Sequence, residues 1–174
     1  MSTFSPINGL LTSTPEFTTE LSQVRSALLQ TVSDYALRSR FAKRKYTGVF
    51  VFRDFDSNVV SYFVVIDGKA VAIHALSSKN HYPNEDDFGK EMHRLEEAYL
   101  HVFDKYGKMR PRRIWIGYDE KNFRDVNFFD FTPRDSTKNL PDPFKTIQQF
   151  KDDAQAGVFG SPLYSTKFMI KEKS

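Results

Sequence analysis

The chain has 174 residues, enough for one domain to bury most of its unfolded surface without staples, and its 17 Phe, 8 Tyr and single Trp can fill a core. It contains no cysteine, which removes disulfides, thiol nucleophiles and thiolate metal sites together and suits a reducing, cytoplasmic setting. Twenty-five Lys and Arg against 22 Asp and Glu leave a net charge of +3, mild for a nucleic-acid binder, and no apolar run nears the roughly 18 residues that cross a bilayer.

Residues 1–13 are aperiodic and rich in Ser and Thr, without the basic start of a signal peptide, and read as a flexible arm. Thr14-Pro15-Glu16 is a helix start: a capping hydroxyl followed by proline at the first helical position. Phe17, Leu21, Val24, Leu28, Val32 and Tyr35 recur at spacings of three or four, which predicts an amphipathic helix over 15–38.

From Tyr46 the period changes to two. GVFVFRDF (48–55), NVVSYFVVI (58–66) and KAVAIHAL (69–76) read as three strands. Asp56-Ser57-Asn58 joins the first pair, and Asp67-Gly68 joins the second as a tight hairpin whose two central residues need positive φ. Asn84 can cap a helix over 85–106, with acidic residues 85–87 at its positive end and Phe88, Met92, Leu95, Tyr99, Val102 and Phe103 as its apolar stripe. Gly107 and Pro111 end it. RRIWIGYD (112–119) and NFRDVNFFDF (122–131) then form a second hairpin around Glu120-Lys121.

These elements predict an α+β fold in the order α-β-β-β-α-β-β: a mainly antiparallel sheet of about five strands packed by two long helices. The domain spans 14–132. A C-terminal extension over 133–174 either packs on it or is partly disordered, with a short helix near Phe144–Ala154 and an edge strand or loose end at YSTKFMI. Strands one, two and five carry apolar residues on both faces, so the second face is covered by that extension or is a partner surface.

Few constellations carry chemistry. His93 and His101 are eight residues apart, too far to chelate one ion from a helix, so no metal or other cofactor is expected. Asp54 and Asp56 share a face at the end of a strand and are the acids a metal-dependent hydrolase would use. Asp67-Gly68-Lys69 is explained by its turn. P-loop, Rossmann and nucleophile-elbow motifs are absent from the sequence. Two basic clusters, Arg38, Arg40, Lys43, Arg44 and Lys45, then Arg110, Arg112 and Arg113 near Trp115, can track phosphates, or merely offset the negative ends of helices.

The stretch from the first helix through Phe131 resembles YezG-like immunity or antitoxin proteins of bacterial polymorphic toxin systems. The resemblance rests on a helix, then an aromatic strand meander (GVFVFRDF, SYFVVI), the helix EDDFGKEMHRLEEAYLHVF, the Trp-containing strand RRIWIGYD and the aromatic, acidic strand NFRDVNFFDF. It covers about half the chain, with Lys121-Asn122-Phe123 where the family has a Gly-Lys-Phe turn. It implies a non-catalytic protein that binds and neutralises a cognate toxin. Asp54, Asp56, Tyr118, Phe123, Arg124 and Asp125, near strand ends, are the candidate contacts. The alternatives are a nucleic-acid-binding module using Lys43, Arg44, Lys45, Arg112 and Arg113, and a metal-dependent hydrolase using Asp54 and Asp56. No membrane partner is expected, and the oligomeric state is open.

Overall fold

The computed structural model describes residues 14–37, 45–73, 85–131 and 141–159, without the side chains of Leu37, Glu85 and Asp86. In chain order they form α1 (Pro15–Leu37), β1 (Tyr46–Asp54), β2 (Val59–Ile66), β3 (Lys69–Ala72), α2 (Glu85–Lys105), β4 (Arg113–Asp119), β5 (Arg124–Asp130) and α3 (Pro143–Ala156). The fold is α+β. Its five strands make one open sheet in the order β3-β2-β1-β4-β5, with every neighbouring pair antiparallel. No helix of the described residues is long and apolar enough to cross a membrane.

Local chemistry places the ends. Thr14 Oγ1 accepts from the Phe17 amide at 3.2 Å and caps α1. Asp67 (φ 52°) and Gly68 (φ 76°) both adopt positive φ, which turns β2 back into β3. Gly107, at φ 67°, reverses the chain after α2, and the Lys108 amide donates to the Phe103 carbonyl across that turn. The β2–β3 ladder ends at Phe63↔Ala72, so β3 is shorter than the strand expected over 69–76; residues 74–76 lie outside the described residues. The cap expected of Asn84 and the strand expected at 164–170 also lie outside them.

The sheet has a core on each side. On one face α1 and α2 cover Val49, Val51, Val64, Ile114, Ile116 and Phe129 with Phe17, Leu21, Leu28, Tyr99 and Phe103. On the other, α3 brings Ile147, Phe150 and Ala154 onto Phe50, Phe52, Phe63, Trp115 and Phe128, and Phe159 follows the helix onto the same surface. The doubly apolar strands are thus explained by the protein's own C-terminal helix. Asp142 starts α3 by accepting from the Phe144 amide at 2.9 Å, and Gly157 ends it in the left-handed conformation.

Phe50 is the centre of that second core. Its ring lies 5.2 Å from Phe63, 5.5 Å from Phe150 and 5.8 Å from Phe159, centroid to centroid. The ring covers Gly117, its cross-strand partner, where a Cβ would sit 2.9 Å from the Val49 carbonyl oxygen and closer still to the ring. At the free margin of β3, the outward amide of Ala70 donates to Gln155 Oε1 of α3 at 2.8 Å.

Candidate partner-binding site

The candidate contact residues divide between the two ends of β1. Asp54 pairs with Arg113 and Gly48 with Asp119 along the β1–β4 ladder, six steps apart, or about 20 Å at strand rise.

At the first end Asp54 and Arg113 are 1% and 3% exposed and joined at 2.7 Å. Asp54 also accepts from the amides of Asp56 (2.9 Å) and Ser57 (3.0 Å), so it holds the β1–β2 turn. Burial alone would raise its pKa, but the Ser57 amide, the Arg113 guanidinium and the Asp56 amide outweigh it and hold the carboxyl below the ordinary aspartate value. Asp56, on the surface beside it, accepts from Arg112 at 2.9 Å. Asp54 is therefore a correction to the candidate contact set: it is consumed inside the fold, not offered to a partner. Asp54 and Asp56 each answer an arginine, and among the described residues no three His, Asp or Glu converge as metal ligands.

The same pairing takes apart the second basic cluster. Arg113 is buried, Arg112 is bound to Asp56, Arg110 donates to Asp104, and Trp115 is fully enclosed under α3, where no base can stack on it. Of the first cluster, Lys45 is exposed, whereas Arg38, Arg40, Lys43 and Arg44 lie outside the described residues. His93 and His101 are exposed on α2; His74 and His81 lie outside the described residues.

The other end is built differently. The β4–β5 turn is fastened on both sides: the Glu120 amide donates to the Thr47 carbonyl of β1 at 2.9 Å, and Asn122 Nδ2 donates to Asp119 at 2.7 Å. Arg124 donates to the Gly157 carbonyl at the end of α3, ion-pairs with Asp119 at 3.8 Å and lies over the Phe159 ring at 5.7 Å. On this fastened turn Phe123 sits at φ 51° with 79% of its surface exposed. A bulky residue in the left-handed region is a true outlier, and strain of this kind persists only where the surroundings impose it.

Strand alternation sends Tyr118 and Asp125 to the opposite face from Arg124. There they line a cleft of about 390 Å³ against α1, together with Arg25, Leu29 and Tyr46. Asp125 and Arg25 approach to 3.4 Å, and the Tyr46 hydroxyl is bonded to Ser33. Sequence reasoning passed over Arg25. The available signal was a charge at position 25 inside the apolar stripe formed by Leu21, Leu28 and Val32.

A further buried polar group lies beside the Asp54 end of β1, against the neighbouring Arg53. Glu96 of α2, 2% exposed, accepts from the Tyr62 hydroxyl and lies 3.4 Å from Arg53. Burial raises its pKa despite Tyr62 and Arg53. Compared with known proteins, the chain matches no protein-family model and no curated relative.

Proposed function

We propose that the chain is a non-catalytic binding protein of the immunity kind, which works in the cytoplasm by gripping a cognate toxin domain through the β4–β5 turn. The observation that supports this most directly is Phe123. It is a large apolar side chain 79% exposed, held in a costly backbone conformation by a turn tied to β1 and α3. Aromatic anchors on a rigid base lose little entropy on binding, and interfaces draw most of their affinity from a few such residues. Tyr118 and Asp125, on neighbouring strands just inside the turn, supply an aromatic wall and a charge for its rim.

The test is co-expression with the product of the adjoining gene. That product should be toxic alone, harmless with this chain and co-purified with it, and Phe123→Ala should weaken the complex by roughly 30-fold or more. A neighbouring product that is neither toxic nor bound ends the proposal.

A further inference from the structure

The β4–β5 turn carries a charged side chain close to Phe123. The Phe123 amide donates to the Glu120 carbonyl at 3.4 Å, the closing bond of a β-turn, which keeps the two Cα atoms within about 7 Å of each other. Phe123 stands out from the turn, whereas Glu120 is half-buried and lines the 390 Å³ cleft against α1. The Glu120 amide is tied to Thr47, but its carboxylate has no hydrogen bond or ion pair among the described residues.

The other two charges of the cleft cancel. Arg25 and Asp125 approach to 3.4 Å and make a neutral pair, so Glu120 leaves the lining with a net negative charge. A further acceptor remains beside it: Gln30 Nε2 is spent on Asp34 at 2.7 Å, which leaves Gln30 Oε1. Two aromatic rings wall the same space. Tyr46 is steadied by the bond from its hydroxyl to Ser33 of α1, and Tyr118 stands on β4 opposite Val49. A surplus carboxylate, a spare amide oxygen and tyrosine walls suit a cation that donates hydrogen bonds.

We infer that this cleft receives an arginine side chain of the protein that the turn grips. A guanidinium is flat and carries its donors in one plane, so it can fork onto the Glu120 carboxylate while a face lies against a tyrosine ring. Lysine offers a point charge with neither property. The contact is reciprocal to Phe123: this chain lends an aromatic anchor to its partner and takes a basic one, two points that fix the orientation of the complex. The inference rests on the binding role proposed for the turn, yet the cleft can be tested without the partner.

The experiment follows amide NMR shifts of the full chain during titration with N-acetylarginine amide, its uncharged citrulline analogue and N-acetyllysine amide. Glu120→Gln is titrated in parallel, and its melting temperature is measured. The arginine derivative should shift the Tyr118 and Glu120 resonances saturably, with a Kd on the order of millimolar. Citrulline should bind about fivefold more weakly or less, and Glu120→Gln should lose about fivefold in affinity for arginine. The melting temperature of Glu120→Gln should equal that of the wild type, because the carboxylate it removes has no partner in the fold. Absence of saturable shifts, equal affinity for citrulline, tighter binding of the lysine derivative, or unchanged affinity in Glu120→Gln overturns the inference. A lowered melting temperature in that variant overturns it too, since the carboxylate would then serve the fold. A cleft that ignores arginine beside a complex that Phe123→Ala weakens would strike the cleft alone. Arginine bound by a chain whose neighbouring gene product is harmless would strike the toxin reading alone.

Discussion

Asp54 and Arg113, 59 residues apart in sequence, face each other across the β1–β4 ladder with 2% and 3% of their side chains exposed and 2.7 Å between them. The pair is closed on one side by the β1–β2 turn, whose amides it holds, and on the other by Thr146 of α3, which Arg113 Nη1 approaches at 3.5 Å.

Removing one member leaves a buried charge without its counterion. Asp54→Ala is expected to cost about 3–5 kcal/mol in urea unfolding, whereas Asp54→Leu combined with Arg113→Met should recover most of that loss. A double variant no better than the single one would show that the backbone bonds to Asp54, not the ion pair, dominate.

Two of the buried acids, Asp54 and Glu96, titrate in opposite directions. Asp54 has a folded pKa below its ordinary 3.8, so its contribution is fully present above that value and is lost as pH falls through the folded pKa. Glu96 has a folded pKa above its ordinary 4.5, so its ionisation weakens the fold as pH rises through the folded value. Carboxyl-carbon NMR should find one titrating on the acid side of its ordinary value and the other on the alkaline side. In Asp54→Asn the slope of stability against pH below 3.8 should flatten, and in Glu96→Gln the decline above 4.5 should disappear.

Trp115 is the chain's one tryptophan and is fully buried beneath α3. Phe150→Ala removes a ring that lies 5.5 Å from Phe50 and 5.3 Å from Phe63, and should cost about 3–5 kcal/mol. Trp115 emission should move to longer wavelength as α3 loosens, while far-ultraviolet circular dichroism changes little. Unchanged emission would mean that α3 stays seated without its central ring.

Phe123 is costly to the fold. Asparagine tolerates the left-handed region, so Phe123→Asn should leave stability unchanged or raise it by about 1 kcal/mol while weakening any protein complex formed through the turn. Denaturation midpoints and binding are measured on the same preparation. A destabilised variant would mean that the exposed ring is packed in solution.

Much of this architecture was legible in advance because its signals are local. Asp67-Gly68, the Thr14 cap and the stripe of α2 depend on residues within a turn or two of one another, and each element formed where its chemistry directed. The site was less legible, because it depends on register. Asp54 read as a surface acid since acids at strand ends are usually solvated, and nothing near it in sequence announces Arg113. Arg113 and Trp115 read as part of a basic, aromatic surface, yet they point to the same face of β4, which α3 covers. Phe123 could be placed in a turn, but its positive φ follows from the bonds made by Glu120, Asn122 and Arg124 to β1, β4 and α3.

The bond from Ala70 to Gln155 reaches beyond its own strand. An unsatisfied strand margin is a template on which further copies can zip together. Because a helix side chain already answers one outward amide of β3, an incoming strand would have to displace Gln155 before it could pair there.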